Sequence, residues 1–230
     1  MEGYIEEIGV SMAVAFVLPR HYSGRKPQVS IAFGWFSKKP LTQENLVAVC
    51  IFGKPASNQL CKGICGEKYS ESVYELNRLC RLDSWKQPLS MFVSRCLKEL
   101  RKRNWIVVSY SDMAMNHHGY IYQACNFLYT GCTKERTDKY TLDGKHSRHY
   151  KESEQTGLRK VRSPKHRYVY FCTSNKHLLR EWKENLRYPV LPYPKGNNNE
   201  NYVLGEFLLD KTVEDTTVHE EVPSDKINLF

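Results

Sequence analysis

Two short, unbroken apolar runs constrain this chain more than any other feature. Leu46 to Phe52 (LVAVCIF) is bounded by Asn45 and by Gly53-Lys54-Pro55, and Trp105 to Tyr110 is equally continuous. Runs of this length between turn residues fit strands covered on both faces, so both belong in the middle of a sheet. Between them the period changes. From Ser90 to Arg103, Phe92, Val93, Cys96, Leu97 and Leu100 form one stripe, while Arg95, Lys98, Arg101, Lys102 and Arg103 cover the rest. That is an amphipathic helix, with Ser90 placed to cap it. Central strands joined through a covering helix define an α/β chain.

The remaining segments extend this pattern. Tyr4 to Leu18 carries Ile5, Ile8, Met12, Ala15 and Phe16 at near-helical spacing, and Pro19 closes it. Val29, Ile31, Phe33 and Trp35 alternate as a strand does. A looser stretch with Gly63 and Gly66 leads to a third strand over Ser72 to Arg81. Gly119 to Leu128 reads as a helix, Arg167 to Cys172 as a strand and Asn175 to Asn185 as a helix. Residues 134–165 are polar and aperiodic, an excursion or flap from a domain that spans 1–190. Residues 191–230 form a turn-rich, acidic extension.

Charge narrows the partners. The chain carries 34 Lys+Arg against 25 Asp+Glu, a formal net charge of +9. Residues 200–230 hold eight acids and two lysines, a net of −6, which leaves +15 on the first 199 residues. A field of that sign attracts polyanions without reading their sequence. Apolar runs such as Ala13 to Leu18 and Leu46 to Phe52 are far short of the roughly 20 residues that span a bilayer, so no membrane partner is expected. Glu2, Glu6 and Glu7 stand where a signal peptide would be positive. Most of the eight cysteines lie inside apolar runs, and Cys61-x3-Cys65 has no matching second pair for zinc. Reduced, structural thiols in a cytoplasmic protein are therefore expected.

One local motif bears on chemistry. Asn116-His117-His118-Gly119 is followed by Ile121-Tyr122-Gln123-Ala124-Cys125-Asn126-Phe127, ending in Tyr129-Thr130-Gly131. This resembles the Asn-x-x-Ala and Leu-Tyr-x-x-x-Gly-Phe segments of GNAT acyltransferases, with Gly119 for Ala and Asn126 for Gly. The resemblance implies a mixed, splayed central sheet flanked by helices, and gives Tyr122 the role of protonating a leaving thiolate. Coenzyme A enzymes of that fold cradle the pyrophosphate in a Gly-rich turn at a helix N-terminus. The corresponding Asp83-Ser84-Trp85-Lys86-Gln87-Pro88-Leu89-Ser90 has no glycine, and Pro88 lacks an amide donor.

Five further blocks lie in order across roughly residues 13–195. They are Arg20-His21-Tyr22-Ser23-Gly24, Glu75-Leu76-Asn77-Arg78-Leu79-Cys80, Ser109-Tyr110-Ser111-Asp112, His118-Gly119-Tyr120-Ile121-Tyr122-Gln123-Ala124 and Lys165-His166-Arg167-Tyr168-Val169-Tyr170-Phe171. They resemble the Mom family of bacteriophage proteins. That resemblance implies a transferase acting on the exocyclic amine of adenine in double-stranded DNA, of the carbamoylmethylation type, which shields viral DNA from host restriction. It also implies an acyl or aminoacyl donor, acyl-coenzyme A or another activated acyl group, and a possible iron requirement.

Adenine's amine is a poor nucleophile, so a catalyst must orient it, remove a proton and hold the base outside the stack. Asp112 at a strand end is the first candidate for proton acceptor, and His21 the second. Tyr22, Ser109 and Tyr122 complete the catalytic set. Substrate contacts fall to Tyr110, Glu75, Arg78, His118, Gly119, Gln123 and Asn126. Glu75 and Arg78 stand three apart on a strand and should project to opposite faces. Arg159, Lys160, Arg162, Lys165 and Arg167 form a basic stripe suited to phosphates. If a metal is bound, His21, His118 and Asp112 are the candidate ligands. Two other readings fit the same features: a coenzyme A-dependent N-acetyltransferase of a protein or small amine, and a non-catalytic DNA-binding anti-restriction protein.

Overall fold

Strand β3, Leu46–Gly53, is buried at every residue in the computed structural model, which describes residues 3–139, 158–196 and 212–214. Both flanking strands pair with it antiparallel: β2, Ile31–Phe36, and β4, Val73–Arg81. Beyond β4 lies β5, Trp105–Asp112, in parallel register. Strand β1, Tyr4–Glu7, pairs antiparallel with β2 at one edge. The full order is β1-β2-β3-β4-β5-β9-β6, with β6 Leu128–Cys132 and β9 Lys165–Cys172. This is the mixed, splayed sheet flanked by helices that a GNAT-like α/β chain was expected to form.

The chain divides into two compact units. The first comprises Met1–Tyr110, Gly119–Gly131 and Arg167–Tyr193, and the second Ser111–His118, Cys132–His166 and Pro194–Phe230. In the first unit three apolar clusters build the core. One joins Phe33, Trp35, Cys50, Phe52 and Leu76 to helix α3, Leu89–Leu100, through Phe92, Val93, Cys96, Leu97 and Leu100. A second joins Val73, Ile106 and Val108 to helices α2, Asn58–Cys65, and α5, Lys176–Glu184, through Ile64 and Trp182. The third seats helix α1, Val10–Val17, on Ala32, Val49, Ile51 and Cys80. Each large apolar side chain buried this way contributes about 1.5–3 kcal/mol.

Several boundaries differ from expectation, for local reasons. Tyr4 to Leu18 is not one helix. Tyr4–Glu7 is an edge strand, and the helix starts only after Gly9. A Cβ on Gly3, at φ +87°, would stand 2.3 Å from the Phe36 carbonyl oxygen, so only glycine admits this close pairing. The stretch around Gly63 contains helix α2, with Cys61 and Cys65 one turn apart on its buried side. Helix α3 begins at Leu89 with Pro88 as its cap, which puts Ser90 inside the helix. The expected helix over Gly119 to Leu128 is confined to α4, Tyr120–Ala124, because Asn126 turns at φ 59° and β6 follows. All eight cysteines are free, and all but Cys132 are buried.

In the second unit, β7 Arg136–Lys139, β8 Leu158–Arg162 and β10 Thr212–Glu214 form a three-stranded sheet in the order β10-β8-β7. The expected flap thus contributes two strands, and residues 140–157 lie outside the described residues. The same holds for the acidic extension from 197 onward, apart from the β10 backbone. Among the described residues no helix is long and apolar enough to cross a membrane.

Candidate active site

A split in the sheet organises the first unit. The parallel register between β4 and β5 runs from Val73 opposite Ile106 to Leu76 opposite Ser109 and ends there, while β4 continues to Arg81 alongside β3. At the last rung the fully buried Ser109 hydroxyl donates to the Leu76 carbonyl at 2.9 Å. Tyr122 of α4 hydrogen-bonds the same hydroxyl, and burial raises its phenol well above the usual tyrosine range, so it stays protonated at neutral pH. Its ring stands 5.4 Å from Phe127 and 5.3 Å from Tyr168. Gly119 caps this helix at φ +75°, where a Cβ would lie 2.4 Å from the Tyr168 ring. Gln123 donates to the Tyr168 hydroxyl at 3.2 Å. These residues hold Tyr122 in place.

Strand β4 carries a bulge beside the split. Arg78 stands opposite Ile51 and Leu76 opposite Phe52, which leaves Asn77 as an extra residue. The bulge inverts the alternation of the strand. Tyr74, Leu76 and Leu79 all pack on the α3 side, whereas Val73 before the bulge and Cys80 after it join the clusters of the opposite side. Glu75 and Arg78 consequently share a face, against the expectation from their spacing. The Arg78 guanidinium donates to the Asn77 carbonyl at 2.6 Å and the Arg25 carbonyl at 3.1 Å. Burial lowers its proton affinity, and nearby Tyr22 and Glu75 oppose that effect. Tyr22 and Glu75 also bear electrostatically on the Tyr122 phenol. Tyr22 is 48% exposed and stacks on His21 at 4.4 Å, with His21 Nδ1 2.9 Å from the Ser23 hydroxyl.

Tyr22, Glu75, Arg78, Ser109 and Tyr122 all lie in the first unit, where Ser109 and Tyr122 are hydrogen-bonded and Glu75 and Arg78 share one face of β4. Tyr110 is instead packed against the α2 and α5 cluster, and Asn126 is an exposed turn residue. Asn77 had not been singled out, because no sequence signal marks a bulge of this kind. A separate cavity of about 670 Å³, lined by Ile5, Phe33, Arg95 and Arg103 among others, holds none of the site residues expected from the sequence.

Asp112 and His118 belong to the second unit. Asp112 caps a short 3-10 turn, accepting the Ala114 amide at 3.1 Å and the Ser163 hydroxyl, while Lys165 pairs with its other oxygen. A carboxylate held by three donors is a structural anchor first. The His118 ring lies 5.9 Å from that of His166, whose Nδ1 is 3.3 Å from the exposed Cys132 thiol. Burial lowers the pKa of His166 and of His117.

The basic stripe is not uniform. Arg162 is exposed and Lys165 is committed to Asp112. Arg167 is only 7% exposed, donates to the Thr130 hydroxyl and carbonyl at 2.9 and 2.7 Å, and stacks 3.3 Å over Tyr188. Placed inside the fold, it is no phosphate contact. The side chains of Arg159 and Lys160 lie outside the described residues.

Among the described residues no three His, Cys, Asp or Glu side chains are grouped to hold a metal ion. The N-terminus of α3 has no glycine turn and is capped by Pro88, which is not a pyrophosphate cradle.

Arabidopsis thaliana NAA60 in complex with acetyl-CoA is similar at 11% identity and TM-score 0.46, over 73% of this chain and 97% of that one. An N-acetyltransferase from Staphylococcus aureus is similar at 10% identity and TM-score 0.44, over 75% and 100%. A Bacillus subtilis acetyltransferase in complex with CoA is similar at 11% identity and TM-score 0.40, over 74% and 99%. No curated protein matches the chain. The Mom protein family model matches residues 2–195, and the chain belongs to that family.

Proposed function

We propose that this chain is a transferase that modifies the exocyclic amine of adenine in double-stranded DNA, drawing on an activated acyl or aminoacyl donor. The observation that supports this reading is the end of the β4–β5 pairing at Leu76 and Ser109, with Tyr122 hydrogen-bonded to the Ser109 hydroxyl there. Family membership supports adenine as the target, and the charge of the first 199 residues supports DNA. In the reaction the amine's lone pair forms a bond to the electrophilic carbon of the donor, and the amine releases one N–H proton to water. As the bond to the leaving group breaks, protonated Tyr122, oriented by Ser109, supplies that group's proton. Tyr22 offers an exposed ring on which an extruded base stacks. The modification would shield phage DNA from restriction in the host cytoplasm.

Nucleoside mass spectrometry on plasmid from producing cells tests the reading. A modified deoxyadenosine, strongly reduced when Tyr122→Phe is produced, is the expected result. Only unmodified deoxyadenosine, from cells containing folded protein, would overturn it.

A further inference from the structure

Of the eight cysteines only Cys132, in the second unit, is exposed. It closes β6, and its thiol lies 3.3 Å from Nδ1 of His166, the second residue of β9. Flanking backbone fixes the pair. The Thr133 amide donates to the Lys165 carbonyl at 2.9 Å, and the Lys165 amide donates to the Thr133 hydroxyl at 2.9 Å. His166 itself is only 6% exposed, so its ring has little room to turn away. Burial, helped by the neighbouring His118 ring, lowers its pKa below the ordinary histidine value, and the imidazole is neutral at pH 7.

An exposed thiol held against a buried, neutral imidazole is a nucleophile beside its base. With the ring proton on Nε2, Nδ1 accepts a hydrogen bond from the thiol and takes its proton as the sulfur attacks. The electrophile must reach the sulfur, and the exposure of Cys132 permits that. A redox role calls for a resolving thiol, and the other seven are buried. An activated acyl carbon needs only a nucleophile and a base for one proton. Both are present here.

We propose that Cys132 and His166 form a nucleophilic site that accepts an acyl group from an activated ester or thioester. The sulfur's electron pair forms the bond to the acyl carbon as His166 Nδ1 takes the thiol proton. The bond from that carbon to the leaving oxygen or sulfur then breaks, and the imidazolium returns the proton to the departing atom. Cys132 ends as a thioester and His166 as a neutral imidazole. The inference stands apart from the adenine reading, since it concerns the second unit and involves no DNA.

The test uses the full chain and p-nitrophenyl acetate, an activated ester whose phenolate release is read by absorbance. Peptide mass analysis should find an acetyl group on Cys132 that neutral hydroxylamine removes, and none on that peptide in Cys132→Ser. Between pH 7 and 8 the rate at Cys132 should be nearly level, because His166 is already neutral across that range. A thiol without a base would instead gain about tenfold over the same unit, following its thiolate fraction. His166→Asn keeps an acceptor near the thiol but no base, and should slow acetylation of Cys132 roughly tenfold at pH 7. Circular dichroism would establish that this variant folds. Acetyl groups confined to lysines overturn the proposal, as does a wild-type rate at Cys132 that climbs about tenfold from pH 7 to 8. An unchanged rate in folded His166→Asn also overturns it, since Cys132 would then be a plain surface thiol. Should His166→Asn fail to fold, the wild-type pH profile decides alone. None of these outcomes bears on base modification, which is read separately on plasmid.

Discussion

The Lys165 ammonium pairs with one oxygen of the Asp112 carboxylate while the other oxygen caps the turn that follows β5. Residues 53 positions apart in sequence are thereby tied within the second unit. Replacing Asp112 with Ala removes a cap and leaves a partly buried ammonium without its partner. We expect a loss of about 2 kcal/mol in urea unfolding. Asp112→Asn retains a cap oxygen and should lose less. An Asp112→Ala variant as stable as wild type would mean that neither contact matters to the fold.

Tyr122 is expected to matter for turnover and little for stability. The Tyr122→Phe variant keeps the ring against Phe127 and Tyr168 and removes only the hydroxyl. Base modification should drop on the order of a hundredfold. The melting temperature should change by a few degrees at most. Retained activity would remove Tyr122 from the chemistry.

Buried thiols set the alkaline limit of the fold. Burial pushes Cys65 and Cys172 up to about 12 and Cys80 to about 11, from an ordinary value of 9.0. Because the folded values are raised, the unfolded chain releases these protons first. Stability is then intact below pH 9 and declines as pH rises from there toward the folded values, on the order of 1.4 kcal/mol per pH unit for each thiol. Urea titrations at pH 8, 9.5 and 10.5 should show unfolding midpoints that fall steadily. A flat response across that range would contradict the buried assignment.

Gly119 admits no side chain. At φ +75°, with the Tyr168 ring 2.4 Å from any added Cβ, Gly119→Ala must displace either the ring or the start of α4. We expect a cost of about 2–4 kcal/mol and a loss of base modification through the displaced Tyr122. Thermal unfolding and nucleoside analysis of one preparation check both.

Within the stripe, Arg162 and Arg167 should behave oppositely. Arg162→Ala should reduce the slope of log affinity for duplex DNA against log salt by about 1 and leave the melting temperature alone. Arg167→Ala breaks two hydrogen bonds and the stack on Tyr188, so it should lower stability with the salt slope unchanged. A reduced slope for Arg167→Ala would place that side chain on the surface.

The elements legible in the sequence were those with a strong period of their own. The runs at Leu46 and Trp105 announce buried strands, and the Phe92–Leu100 stripe announces a covering helix. Where tertiary pairing decides, local pattern misled. Tyr4–Glu7 looks helical but is captured by β2, and the weakly patterned α2 forms because Ile64 and Cys65 find a core cluster to fill. Of the candidate site, Tyr22, Ser109 and Tyr122 were visible through their motifs. The relation of Glu75 to Arg78 was not, since one extra residue at Asn77 reverses the side-chain alternation. Arg167 was misjudged for a similar reason. A cation in a basic string gives no sign that Thr130 and Tyr188 will enclose it.

Strand β8 owes one of its two neighbours to a segment some fifty residues further along, since Thr212–Glu214 lies opposite Leu158–Lys160. Truncating the chain after residue 196 would strip those backbone amides and carbonyls of their partners and expose a bare strand edge. Such an edge invites pairing with any extended peptide, so shortened versions should self-associate, however soluble their charge makes them appear.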